Sequence, residues 1–405
     1  MILRPNYINQ INAFIDKPQI KIITGIRRSG KSTFLKILKN ELIDRNIDET
    51  QIVLINFESF NFLGISDAVK LYNYVKEIIS KNQKHYLLFD EIQEVKDWEK
   101  AVNSFLVDFD VDIYITGSNS HLLSSELATY LTGRYIEIPI YTLSFKEFLA
   151  FRKHYFNEND SEIIAFNQFL KLGGFPVIHT VNYSEDSAYK VVHDIYSSVI
   201  LRDTIQRYKI RDVELFERVV KYAFDNVGNT FSGKNVADYF KNQQRKIDIN
   251  TVYNYLNGLE GAFILYRLSR FDIKGKEILK TQEKFYVSDI SLIYATMGFK
   301  QQMIAGILEN IVFLELKRRG FTVYIGKIGS KEIDFIAEKK GERIYVQVTY
   351  KLDSEQAIER EFGNLLLIDD NYPKMVISMD EFWQGTVQGV KHYYITEFLL
   401  AENWV

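Results

Sequence analysis

One stretch constrains the chain more than any other: Lys21-Ile22-Ile23-Thr24-Gly25-Ile26-Arg27-Arg28-Ser29-Gly30-Lys31-Ser32-Thr33. It reads as a buried strand, a glycine-bounded loop and the first turn of a helix. The pattern G-x-x-x-x-G-K-[ST] is met at Gly25, Gly30, Lys31 and Ser32. Such a loop wraps a polyphosphate with successive backbone N–H groups turned inward, and glycine permits the backbone angles that a side chain blocks. The helix starting at Lys31 presents its unsatisfied N–H groups and positive dipole end to the same phosphates. Lys31 can reach the outer phosphates, and the Ser32 hydroxyl can ligate magnesium. The flanks agree: Ile20, Ile22 and Ile23 precede the loop, and Phe34, Leu35, Ile37, Leu38 and Leu42 mark an amphipathic helix after it.

The remaining strands follow from short apolar runs. Gln51–Glu58, Tyr86–Glu91, Asp112–Asn119 and Tyr135–Ile138 alternate with helical periods at 68–79 and 98–107. Strands alternating with helices imply a parallel sheet covered on both faces. Ligands in such α/β sheets bind at the carboxyl ends of the strands, and Asp90 and Glu91 fall at one of those ends. An aspartate there can hold magnesium through its water shell, and a glutamate beside it can deprotonate a water for attack on a γ-phosphate.

The alternation stops near Phe145. From Ile163 to Val227 the pattern is helical, broken at Gly173-Gly174-Phe175-Pro176. Helices are expected at 233–240 and 250–259, then a hairpin over 263–286 with Gly275 at its tip. Two short helices followed by a hairpin suggest a winged helix-turn-helix. Its second helix would offer Asn250, Thr251, Tyr253, Asn254 and Asn257 to DNA, and Lys274, Lys276, Lys280 and Lys284 near the wing could meet phosphates. A protein-docking role is the other reading, since that helix carries no Arg or Lys. The charged segment Arg202, Asp203, Arg207, Lys209 and Arg211 reads as an inter-domain ion-pair set. The last part has a helix over 306–319 and strands at 322–325, 332–337, 343–350, 365–368 and 374–378.

The 405 residues allow two or three domains. No apolar run is long enough to span a bilayer, and the start, Met1-Ile2-Leu3-Arg4-Pro5, lacks the apolar core of a signal peptide. With no cysteine, disulfides and thiolate metal sites are excluded and a cytoplasmic home is expected. The net charge of −3 provides no global attraction for nucleic acid, so any such binding needs a local patch.

The combined signatures resemble an AAA-family P-loop ATPase of the large prokaryotic group whose C-terminal half is a domain of unknown function. They are the 25–32 loop, Phe89-Asp90-Glu91-Ile92-Gln93, Thr116-Gly117-Ser118-Asn119, Leu131-Thr132-Gly133-Arg134, Leu143–Phe148, Gly173–Pro176, Glu332-Ile333-Asp334-Phe335, Gln347-Val348 and Glu359-Arg360-Glu361. The resemblance implies three parts. A P-loop ATPase domain of α/β class spans 1–150, a helical and winged-helix domain 151–300, and a restriction-endonuclease-like α/β module 301–405. It implies ATP and Mg2+ as ligands, with Gly25, Arg28, Ser29, Gly30, Lys31, Ser32, Thr33 and Ser118 binding nucleotide and Ser32 and Asp90 holding the metal. The implied catalytic set is Glu91, Lys31, Asn119 and Arg134. Ser118 or Asn119 resembles a γ-phosphate sensor, and Asn56 reads equally as a switch that holds Glu91 or as a strand-end asparagine capping a turn. Arg134 has three readings: a transition-state contact in cis, one on a neighbour's nucleotide in an oligomer, or a structural ion pair. Arg27 and Arg28 read equally as phosphate contacts or a solvated basic pair.

A nuclease of the last type needs an acidic pair and a lysine around a metal. Asp334 supplies one carboxylate, and Glu309 or Glu315 could add another. Gln347, however, stands at the second acidic position and Thr349 where the lysine belongs, with Lys351 as a substitute in space. The nuclease site reads as degenerate. ATP hydrolysis that drives or gates C-terminal DNA- or protein-binding modules is the expectation. A DNA-binding switch or protein scaffold with negligible turnover is the alternative.

Overall fold

The computed structural model describes residues 2–80, 82–120, 133–197, 202–242, 247–383 and 385–404, with the side chains of 202, 203, 280 and 281 outside the description. Leu131 and Thr132 of the quoted signature, and the side chains of Arg202, Asp203 and Lys280, thus lie outside the described residues. The chain divides into two compact units, Met1–Thr142 with Gly261–Phe263, and Leu143–Glu260 with Ile264–Val405.

The first unit contains helices α1 (Pro5–Asn12), α2 (Lys31–Asp44), α3 (Ala68–Ile78) and α4 (Trp98–Asp108). Its strands are β1 (Ile20–Thr24), β2 (Ile52–Asn56), β3 (His85–Asp90), β4 (Val111–Thr116) and β5 (Tyr135–Pro139). They form one sheet in the order β2-β3-β4-β1-β5, with every pair parallel. All of β1 is buried. Its period-2 alternation sends Ile20 and Ile22 to a core shared with Leu87, Phe89 and Phe105. Ile23 goes to the opposite core with Phe34, Leu35 and Leu38 of α2. Both faces are therefore covered, as the apolar runs imply. All β-strands of this sheet point their carboxyl ends toward one edge, and β1, β3 and β4 end there at Thr24, Asp90 and Thr116.

The second unit holds α5 (Phe145–Phe156), α6 (Glu162–Leu172), α7 (Glu185–Asp194), α8 (Arg202–Arg207), α9 (Val213–Asp225), α10 (Gly233–Asn242), α11 (Ile249–Gly261), α12 (Ser291–Met297), α13 (Ile304–Arg318), α14 (Glu355–Leu366) and α15 (Ile395–Leu400). Its strands are β6 (Leu265–Asp272), β7 (Glu277–Val287), β8 (Thr322–Ile328), β9 (Lys331–Lys339), β10 (Glu342–Val348), β11 (Lys374–Ser378), β12 (Thr386–Val387) and β13 (Val390–Tyr394). The sheet order is β12-β13-β11-β10-β9-β8-β6-β7. The hairpin β6–β7 turns at Gly275, where the Asp272 carboxylate accepts from the Lys274 and Gly275 amides at 3.0 and 3.1 Å. β6 also pairs in parallel with β8, so strands from both sides of residue 300 share one sheet. Phe231, just before α10, bridges Glu283 of β7. The strand expected at 365–368 is not formed. Leu365 and Leu366 end α14, whose Ser354 cap accepts from Ala357 N at 3.2 Å, and Phe362 and Leu365 bury one helical face. A four-residue apolar run does not distinguish a strand from the buried end of a helix. Among the described residues no helix is long and apolar enough to cross a membrane.

Candidate functional site

The phosphate loop is shaped at two glycines. Gly25 has φ +140°, and a Cβ placed there would stand 2.1 Å from the Ile140 carbonyl oxygen. That carbonyl belongs to the chain leaving β5, which is held close by the Ile140 N to Thr24 O bond of 2.7 Å. Gly30, φ +99°, precedes α2 and supplies no side-chain cap. The first amides of α2 are thus available to an anion, which is the donor geometry of a phosphate site. Ser29 lies fully buried inside the loop, and its Oγ has no hydrogen-bond partner. A buried hydroxyl of that kind and an uncapped helix end fit an oxygen-rich anion. Ser32 is half-buried, while Arg28 (φ +68°) and Thr33 are exposed. Arg27 pairs with Glu58 at 2.5 Å.

Lys31 is 3 % exposed. Its Nζ donates to the Gly25 and Ile26 carbonyls at 3.0 and 3.2 Å and lies 3.7 Å from Glu91 Oε1. Burial draws its pKa below the ordinary lysine value, against the opposing pull of Glu91 and Asp90.

Asp90 and Glu91 leave β3 in different conformations. Asp90 is the last residue of the strand, and its Oδ1 accepts from Thr116 Oγ1 at 2.6 Å. Its Oδ2 accepts from Asn56 Nδ2 at 2.9 Å. Burial pushes its pKa up, moderated by hydrogen bonds from Thr116 and Ser32. Glu91 adopts φ +55°, a costly angle for a non-glycine residue. Its amide donates to Thr116 Oγ1 at 2.9 Å, so one hydroxyl fixes both carboxylates. Its Oε2 accepts from Gln93 Nε2 at 2.5 Å and Ser118 Oγ at 3.1 Å. Burial alone would raise the Glu91 pKa, but the Lys31 charge and these two hydrogen bonds outweigh it, and the net shift is downward. The side chain is therefore an anion at neutral pH, as a general base must be.

Lys31, Ser32, Asp90, Glu91 and Ser118 thus converge, and Asn119 is buried beside Ser118. Ser32 and Asp90 are hard oxygen donors of the kind magnesium prefers. Asp90 already accepts at both oxygens, which suits contact through coordinated water.

Two expectations need correction. Asn56 bonds Asp90, not Glu91, because the register of β2 on β3 sets Asn56 directly opposite Asp90, and its Oδ1 caps the turn by accepting from the Glu58 amide at 2.9 Å. Gln93 and Ser118 hold Glu91 instead. Arg134 is not brought to the site. β5 runs parallel to β1 with Tyr135 beside Ile20, which leaves Arg134 at the amino edge of the sheet, about 16 Å along the strands from the loop at about 3.3 Å per residue. There its Nη1 donates to Asn103 Oδ1 at 2.9 Å, so a cis contact with the transition state is excluded by topology.

Two residues join the site without having been singled out. Thr116 was legible as a polar strand end, though not as the residue that fixes both carboxylates. Arg4, 5 % exposed, donates to the Ser29 carbonyl at 3.1 Å and the Tyr141 carbonyl at 2.8 Å. It ties the loop to the chain beyond β5, and nothing in its local sequence signals this.

In the second unit, Lys284 is corrected as well. It is 3 % exposed and does not reach a wing surface. Its Nζ lies 3.2 Å from Glu309, 2.9 Å from Glu332 and 3.6 Å from Asp334. Tyr286 donates to Glu309 Oε2 at 2.9 Å. The Asp334 amide donates to Gln347 Oε1 at 3.3 Å, and Asp334 Oδ2 accepts from Val348 N at 2.8 Å. A lysine from the hairpin therefore occupies the centre of the acidic cluster. Lys351 instead lies over the Tyr350 ring, and Glu315 pairs with Arg318 and Arg319. Among the described residues no group of three or more His, Cys, Asp or Glu is arranged to hold a metal ion.

Comparison with known proteins agrees with this geometry. A family model described as an AAA domain matches residues 17–149, and one described as a domain of unknown function matches residues 163–303. An uncharacterized protein of Haemophilus influenzae is 39% identical over 403 residues, covering 99% of each chain. Another from Methanocaldococcus jannaschii is 32% identical over 390 residues, covering 92% of this chain and 86% of that one. Among solved structures, AMPPCP-bound DnaA from Aquifex aeolicus aligns with a TM-score of 0.31 at 15% identity, covering 64% of this chain and 89% of that one. With the phosphate loop, the parallel sheet and the matched domains in register, the chain belongs to the AAA-family P-loop ATPases that carry a C-terminal domain of unknown function.

Proposed function

We propose that the chain binds Mg-ATP at the 25–32 loop and hydrolyses it, using the cycle to change the disposition of DNA- or protein-binding modules in its C-terminal part. The observation that carries this reading is the convergence of Lys31, Asp90 and Glu91 on the uncapped start of α2. Loop and helix amides receive the phosphates, and Lys31 exchanges its bonds to the Gly25 and Ile26 carbonyls for phosphate oxygens. Ser32 and Asp90 would hold the magnesium ion, which when bound neutralises charge on the outer phosphates. Once Lys31 turns to phosphate, Glu91 loses its lysine partner. Its Oε1 is then the oxygen placed to orient a water and take its proton, while Oε2 stays held by Gln93 and Ser118. Asn119, with Ser118, is the candidate γ-phosphate sensor.

Thr116 is a positioning residue, because it acts only through the two carboxylates. Thr116→Val keeps the shape and removes the hydroxyl. Misplacing a reacting group by an ångström can cost about 10²-fold in rate. The expected result is therefore a kcat lower by about that factor, with KM nearly unchanged. Steady-state kinetics would show the split; an unaffected kcat would remove the shared hydroxyl from the mechanism.

The order α9, α10, α11 and then the hairpin β6–β7, with Phe231 bridging Glu283, supports a winged-helix reading for the binding module. The Lys284-centred cluster favours a non-nuclease role for the last segment, since an ammonium stands among the carboxylates where a metal ion would bind.

A further inference from the structure

The segment after α8 and the exposed face of α11 are far apart in sequence, yet they line one groove. Its volume is about 310 Å3, with Lys209, Ile210 and Arg211 on one side and Thr251, Asn254 and Asn257 on the other. The approach is close. A Cβ at Gly258 would stand 3.1 Å from Thr204 Cγ2 and 3.4 Å from the Tyr208 ring, so glycine there lets the turn lie against the helix. Lys209 takes φ +50° to make that turn.

The expected ion-pair set includes Arg202 and Asp203, whose side chains lie outside the description. Arg207, Lys209 and Arg211 are all exposed, and none makes an ion pair with a described residue. Three nearby carboxylates with described side chains are engaged elsewhere. Asp212 caps α9 by accepting from Leu215 N at 2.9 Å, Glu214 binds Arg218 at 2.9 Å, and Glu260 accepts from Arg267 at 2.7 Å. The turn therefore presents net positive charge beside a helix face that is uncharged but rich in hydrogen-bonding groups. Thr251, Asn254 and Asn257 recur at intervals of three along α11, which keeps them on one side. Asn254 bonds no described residue through its side chain, and Asn257 offers its NH2 group while its Oδ1 accepts from Arg267 at 2.8 Å.

We propose that this groove is a duplex DNA contact surface, in which Lys209 and Arg211 neutralise backbone phosphates and Thr251, Asn254 and Asn257 face base edges. It rests on the reading that the C-terminal modules bind a macromolecule, and it names that partner and the residues. The helix without Arg or Lys is thereby supplied with charge from a separate segment. Phosphate contacts set register and amides read bases; an asparagine can bond adenine through two atoms. An acidic protein would be served by the cations alone and gives no use to the amide row.

Fluorescence anisotropy of the full chain with a labelled mixed-sequence duplex of about 25 base pairs tests the proposal, read between 50 and 200 mM salt. Each phosphate contact contributes about 0.9 to the slope of log affinity against log salt. The double variant Lys209→Gln/Arg211→Gln is expected to bind at least tenfold more weakly at 100 mM salt and to lower the slope by about 1.8. ATP hydrolysis and the melting curve should stay unchanged, since neither residue touches the nucleotide site. Salt-dependent binding that the double variant leaves intact would overturn the groove assignment alone. Absence of duplex binding by the wild type would overturn the assignment and the DNA reading of the module together, while leaving the ATPase reading standing. Polyglutamate displacing the duplex at equal charge would also overturn it, in favour of an acidic protein.

Discussion

Glu91→Gln is expected to lower steady-state ATP hydrolysis by a factor on the order of 10²–10⁴, the contribution of a positioned general base. Glutamine keeps the length of the side chain and can still accept from Ser118 or Gln93. It cannot take a proton, and it removes the negative charge 3.7 Å from Lys31. Nucleotide affinity should therefore hold or rise, because the lysine no longer has a carboxylate to prefer over phosphate. The two effects separate in a single-turnover assay: binding amplitude preserved, product formation nearly abolished. Hydrolysis within threefold of wild type would place the proton acceptor elsewhere.

Lys284→Met is expected to destabilise the second unit by about 3–5 kcal/mol, the usual cost of removing one partner from a buried charge set. Methionine fills much the same volume, so the loss is electrostatic. The ammonium faces Glu309, Glu332 and Asp334, and the carboxylates left behind would have no counter-charge. Even with the lysine present, one cation does not balance this group. Burial and the Asp334 charge push Glu309 up to about 8, against the pull of Lys284 and the Tyr286 hydrogen bond. Burial likewise raises Asp334 to about 6, against Lys284. A carboxyl whose pKa is higher folded than unfolded adds stability below its unfolded pKa and loses it as pH rises through the folded one. Wild-type stability should accordingly fall between about pH 5 and 8, and the variant should fall more steeply. Urea denaturation at several pH values checks both. A variant within about 1 kcal/mol of wild type would show that the cluster is hydrated and weakly coupled.

The sheet of the first unit was legible because its strands are continuous apolar runs, a signal that burial on both faces produces directly. The phosphate loop was legible because it is local: Gly25, Gly30, Lys31 and Ser32 act within a few residues of one another. The hairpin with Gly275 at its turn was legible for the same reason. What failed depends on distance in sequence. Arg134 and Asp90 are both polar residues at strand ends, and only the pairing of β5 with β1 tells that Arg134 lies at the amino edge. Of the two readings of Asn56, turn capping holds, while the switch reading named the wrong carboxylate because neighbouring residues at a strand end differ by register alone. Lys284 reads as a surface wing lysine until its side chain is seen to meet Glu309 of α13 and Asp334 of β9. Arg4 carries no motif at all, and its hold on Ser29 exists only once the loop and the chain after β5 are in place.

The central claim is that the loop at 25–32 receives a triphosphate whose charge Lys31 helps to balance. Calorimetric titration of Mg-ATP into the wild-type chain and into Lys31→Ala tests it most directly. Saturable binding at one site in the wild type, weakened at least tenfold in the variant, is the result expected here. No measurable heat in the wild type, or the same affinity in both proteins, would contradict it.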